Sequence, residues 1–258
     1  MGETVTELPY TTYCDAISRE TARIAAIAAG SDLAAKVPSC PDWTLADLVR
    51  HVGGLQRWFA AMIDRVTPTR LAPEEFDYQL PADVADYPDW YASGFVEVAK
   101  VLSAADPDAT MYSWGPDTRV TFWARRMLME LLVHRYDAEL AVDDVTEIDS
   151  AQAADGVEEF LVNLPSVAKF SSRVGDLRGD GLTIGFGVWG TEVDWTVRLD
   201  PDSFGLTPAV AEPDAIVSAE SAEALLLLVY GRIGTDDPRI KAEGDPALLE
   251  KWFKHARF

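Results

Sequence analysis

The chain has 258 residues, 48% of them hydrophobic and 25% charged, a globular composition with length for one large domain or two ordinary ones. Its formal net charge of −21, with no basic block to offset it, argues against nucleic acid and anionic membrane as partners. The N-terminal MGETVTELPYTTY has no basic segment followed by an apolar run, so no secretory signal is expected. The longest apolar run, 224–230, is far too short to span a bilayer, and two cysteines, Cys14 and Cys40, do not make a disulfide framework. The expectation is a cytoplasmic protein with reduced thiols, a monomer or weak homodimer.

Residues 11–29 predict a first helix with Gly30 placed as its C-terminal cap. After the loop SDLAAKVPSCPDW, Thr44 is a natural N-cap with Asp47 three residues on, so a second helix runs to about Val66. His51 continues that helix's stripe of Leu48, Val52, Leu55 and Phe59. Gly53 and Gly54 follow it at a helix cost of about 1 kcal/mol each relative to alanine, and they let another backbone or a ligand approach closely. Residues 67–87, rich in proline and acidic side chains, predict a long connection of the kind that is often functional. A third helix is expected over 88–105.

The stretch 119–141, RVTFWARRMLMELLVHRYDAELA, predicts the fourth helix, with Trp123, Met127, Leu131, Ala138 and Ala141 along one core-facing stripe. Glu130 and His134 sit within that stripe, four residues apart and so pointing the same way. An ionised carboxylate there is costly unless it is paired or binds a metal. With His51 on a second helix, the chain can assemble two imidazoles and a carboxylate, a metal set with one open position. Zinc suits it, and ligand type alone leaves nickel, iron and manganese open. The plainer reading is an exposed Glu–His pair that only hydrogen-bonds. Asp137, one turn on, can take the second ring N–H of His134 or salt-bridge to Arg135. Trp43, Trp58, Trp114 and Trp123 read as core or rim aromatics, and both cysteines as packing residues.

The composition changes near 145–150, giving expected domains of 1–148 and 149–258. The second half predicts a short helix over 150–164, then two strands, GLTIGFGVWG and TEVDWTVRLD, joined by a tight turn at Gly190. A third strand over 215–217, an apolar helix over 221–230 ending at Gly231, and a last strand RIKAEG follow. A final helix is capped by Asp245 with Pro246 at its first position, and His255 in its last turn suits the helix dipole. The fold expected is a four-helix bundle followed by a small α+β domain.

Several blocks in order, VPSCPDWTLADLVRHVGGLQRW, ELLVHRYDAELA, ADGVEEFL, LLLLVYGR and EGDPALLEKW, resemble the mycothiol-dependent maleylpyruvate isomerase family. The resemblance implies a DinB-like four-helix bundle that binds zinc, or another divalent metal, through His51, Glu130 and His134, followed by a sterol-carrier-like α+β domain. It further implies mycothiol, a low-molecular-weight thiol, as cosubstrate, and a small-molecule carboxylate as substrate. Arg232, in the YGR block, and Arg126, on the metal helix, are the candidates to orient substrate carboxylates by paired hydrogen bonds. The activity implied is cis–trans isomerisation of a maleylpyruvate-like substrate or thiol S-transfer. A zinc hydrolase and a non-catalytic metal- or thiol-binding protein are the competing readings.

Overall fold

The computed structural model describes residues 7–191 and 194–258, apart from the side chain of Glu75. The N-terminal segment read for a secretory signal lies mainly outside the described residues. So do Glu192 and Val193, at the start of the expected second strand. The chain forms two compact units, a helical one of Leu8–Ser113 and Asp117–Thr146, and a mixed one of Glu147–Phe258 with Trp114–Pro116. Among the described residues, no helix is long and apolar enough to cross a membrane.

The helical unit has α1 (Tyr10–Gly30), α2 (Leu45–Arg65), α3 (Tyr87–Ala104) and α4 (Val120–Leu140). Both α1 and α2 pack against α3 and α4, so α2 and α4 are neighbours in the bundle. The start of α2 is a capping box: Thr44 accepts from the Asp47 N–H, and Asp47 Oδ2 accepts from the Thr44 N–H at 3.0 Å. The end of α1 departs from expectation. Gly30 stays helical, Ser31 leaves in extended conformation, and no left-handed glycine caps the turn.

Helix α4 also differs from the amphipathic stripe expected of it. Its side chains are buried around nearly the whole circumference, with only Arg125, Glu130 and Leu140 half-exposed. The helix tolerates this because its buried charges are paired. Glu139, fully buried, accepts from Arg135 at 2.7 Å, from Arg23 of α1 at 2.8 Å and from the Thr146 N–H at 2.9 Å. Arg135 also ion-pairs with Glu20 of α1. The network ties α1, α4 and the segment leaving α4 together.

In the second unit α5 (Ser150–Val167) and the short α6 (Ser172–Gly175) precede β1 (Leu182–Val188), β2 (Trp195–Leu199), β3 (Phe204–Thr207) and β4 (Ala215–Ala219). Helix α7 (Ala222–Val229), β5 (Ile240–Gly244) and α8 (Pro246–His255) complete it. The sheet order is β3-β2-β1-β4-β5, with β1 and β4 parallel and the other pairs antiparallel. Phe186 and Val217 lie side by side on one face, where Phe186 meets Trp252 of α8 at 5.3 Å between ring centroids. Strand β3 is absent from the sequence reading; at four residues with a glycine inside, FGLT gives no alternation to read.

Candidate metal centre

The site sits where α2 and α4 face each other. His51, Glu130 and His134 each present one ligand atom, and the three atoms lie within 4.8 Å of one another. The one-turn spacing of Glu130 and His134 puts His134 Nε2 3.5 Å from Glu130 Oε2. The His51 and His134 rings meet edge to face with centroids 4.9 Å apart. Two imidazoles and a carboxylate converging from adjacent helices could hold a divalent metal with an open coordination position.

Two groups decide the state of these side chains. His134 Nδ1 lies 2.8 Å from Oδ2 of Asp137, a fully buried carboxylate placed to accept a hydrogen bond from Nδ1–H; once the ring is neutral in that tautomer, its Nε2 lone pair is left for the cluster. Of the two readings open to Asp137, partner of His134 or salt bridge to Arg135, the structure adopts the first. Arg126, its side chain 4% exposed, donates to Glu130 Oε1 at 2.8 Å. Burial alone would raise the Glu130 carboxyl, but the Arg126 guanidinium and the His134 ring outweigh it and hold it well below the usual carboxylate range. Burial pulls His134 down, yet its bonds to Asp137 and Glu130 prevail, so the metal-free ring keeps its proton above the ordinary imidazole value.

The loop before α2 supplies an outer layer that the sequence reading missed. Two successive turns close through Cys40 N–H to Val37 O (3.0 Å) and Trp43 N–H to Cys40 O (2.8 Å), each with proline at its second position, Pro38 and Pro41. They deliver Ser39 Oγ to Asp137 Oδ1 at 2.6 Å and Cys40 Sγ to within 3.8 Å of Asp137 Oδ2. They also set the Trp43 indole against both imidazoles, 5.0 Å from His51 and 5.8 Å from His134 between centroids. The signal was in the sequence as VPSCPDW, whose prolines dictate the turns; which side chains those turns aim inward is a tertiary fact.

Arg232 lies in the second unit, after Gly231 in the left-handed region (φ 71°), and its Nη1 donates to the Tyr230 carbonyl at 2.9 Å. Arg126 and Arg232, the two arginines expected to share a role, thus occupy different units, and Arg126 is engaged with a candidate ligand. His255 Nδ1 lies 2.9 Å from the Arg173 carbonyl, a contact within the second unit.

A helical bundle with a two-histidine, one-carboxylate cluster, followed by a mixed five-stranded sheet with helices, defines the class of this protein. Residues 14–139 match the family model described as the mycothiol maleylpyruvate isomerase N-terminal domain, and 151–251 match its C-terminal domain. The chain belongs to the mycothiol-dependent maleylpyruvate isomerase family. Among solved structures, one described as the mycothiol-dependent maleylpyruvate isomerase is similar over 99% of both chains, with TM-score 0.62 and 13% identity. A histidine-to-alanine mutant of that isomerase is similar over 99% of both chains with TM-score 0.61 and 12% identity. At such identities the likeness is one of fold. Comparison with curated protein sequences gives no match.

Proposed function

We propose that this protein is a metal-dependent enzyme that uses a low-molecular-weight thiol, mycothiol, to isomerise a cis double bond conjugated to a carbonyl, as in maleylpyruvate. The observation that carries the reading is the convergence of His51, Glu130 and His134 within 4.8 Å, with Asp137 orienting His134 from behind. Zinc suits the donor set, and when bound it supplies a Lewis acid that lowers the pKa of a thiol.

The chain's own groups prepare the site for that chemistry. Asp137 holds the Nδ1 proton of His134, and Ser39 in turn fixes Asp137. Arg126 keeps Glu130 ionised and in place, acting as a positioning residue. Trp43 covers the imidazoles with an apolar plate. Arg232 is the cation we assign to a carboxylate of substrate or thiol conjugate, since a chain of net charge −21 otherwise repels an anion. In the reaction the thiolate adds to the alkene carbon, the former double bond rotates as a single bond, and elimination restores the alkene as trans with release of the thiol.

The test is turnover of maleylpyruvate by zinc-loaded protein with and without mycothiol. Thiol-dependent appearance of the trans isomer is expected. Metal-loaded, folded protein that is inert with thiol present, or equally active without it, contradicts the reading.

A further inference from the structure

Beside the cluster, between α2, the connection that follows it and α3, a cavity of about 310 Å³ takes His51 as part of its wall. Gly54, Leu55, Tyr78, Leu80 and Trp90 line most of the rest. The sequence builds it deliberately. A Cβ on Gly53 would lie 2.4 Å from the Trp90 ring, so only glycine lets that indole approach α2 this closely, in the turns beside His51. A Cβ on Gly54 would stand 3.4 Å from the Tyr78 ring. The long connection between α2 and α3 brings Tyr78 and Leu80 to the opening, and the Trp90 Nε1–H donates to the Tyr78 carbonyl at 3.0 Å, fastening connection to helix. Arg57, its guanidinium carbon 4.3 Å above the Trp90 ring, holds the indole from its other surroundings. The walls are therefore set before any ligand arrives.

The chemistry of those walls is apolar and aromatic, with a single cation. Arg50 lines the cavity with its side chain 54% exposed and 3.2 Å from Asp47, so about one carboxylate can be matched there, and only at the mouth. About 150 Å³ suffices to hold benzene in an apolar cavity, so this one takes a ring with substituents. We propose that this cavity receives the body of the substrate, and that the part it encloses is a planar aromatic or extended unsaturated group with no more than one carboxylate, held at the mouth beside Arg50, in preference to a compact dianion. A second carboxylate of the substrate lies outside this cavity. The inference rests on the proposed thiol chemistry for what reacts there, while the binding preference stands apart from it.

The experiment is calorimetric titration of zinc-loaded protein, without thiol, using trans-cinnamate and maleate as probes. Cinnamate is expected to bind at least about tenfold more tightly than maleate, because its ring removes apolar surface from water. Gly54→Leu fills the cavity from its floor, and Leu80→Trp fills it from the exposed connection, where Leu80 is 42% exposed and folding is not at stake. Both variants, with zinc content checked as unchanged, are expected to lose cinnamate binding by a similar factor. Tighter binding of maleate, or wild-type cinnamate affinity in folded Leu80→Trp, overturns the proposal. Cinnamate binding that is lost in both variants upholds the cavity even if no thiol-dependent turnover is found, in which case the functional reading alone falls.

Discussion

Asp137→Asn is the perturbation that most cleanly separates a metal centre from a polar cluster. The carboxylate is fully buried and takes His134 Nδ1 at 2.8 Å and Ser39 Oγ at 2.6 Å. Asparagine preserves the shape but removes the charge, and its amide presents an N–H as readily as a carbonyl. The His134 Nδ1–H then loses its fixed acceptor, and the ring can turn or change tautomer. Loss of such a partner weakens metal binding about 10–100-fold, or roughly 1.4–2.8 kcal/mol.

The pH dependence adds a second readout. In the metal-free protein the folded-state pKa of His134 is raised, by Asp137 and Glu130 against burial. Its contribution to folding is therefore complete below the ordinary imidazole value of about 6.5 and lost as pH rises through the folded value. Metal binding runs the other way, strengthening with rising pH over the same range because the ligand nitrogen must lose its proton. Removing the Asp137 charge lowers the folded pKa, so the midpoint of that strengthening moves to lower pH even as the limiting affinity at high pH falls. Competition against a chelator of known affinity, across neutral pH, measures both. Unchanged limiting affinity and midpoint in a folded variant would refute the role given to Asp137.

Other expectations follow from single contacts. Arg232→Ala should lose about 1.5–3 kcal/mol of transition-state binding, and Arg232→Lys should not restore it for want of the planar fork; turnover per bound metal decides. Glu139→Ala should lower unfolding free energy by about 3 kcal/mol, because Arg135 and Arg23 lose a partner that is fully buried; denaturant titration showing near-wild-type stability would contradict it. Replacing both Cys14 and Cys40 by serine should leave turnover largely intact, since the proposed nucleophile is the added thiol. Lost chemistry with fold and metal preserved would instead point to a protein thiol.

The helices were legible because their signals are local. The Thr44–Asp47 box and the Asp245–Pro246 start are set by side chains three residues apart or adjacent, and the structure places both caps as read. Glu130 and His134 were legible for the same reason, and His51 through its place on the apolar stripe of a second helix, a set that the family resemblance then supported. What the sequence hid depends on packing. Glycine at the end of α1 signals a left-handed cap only where the backbone turns there, and at Ser31 it leaves extended instead. The stripe on α4 understated its burial, because pairing makes Arg126, Arg135 and Glu139 tolerable inside. Gly53 and Gly54 are places of close approach, but what approaches is side chain, neither backbone nor ligand: Trp90 from α3 and Tyr78 from the long connection. Ser39 and Trp43 reach the site through an irregular loop whose turns are readable and whose aim is not.

The most direct test of the account is elemental analysis of the purified wild type beside His51→Ala, with folding of each checked by circular dichroism. Convergence of His51, Glu130 and His134 predicts about one divalent metal per chain in the wild type. It predicts a large loss in the variant, since two ligands from α4 alone hold a metal weakly. Equal and negligible metal in both proteins, or full metal in His51→Ala, would contradict the metal centre from which the proposed thiol chemistry is derived.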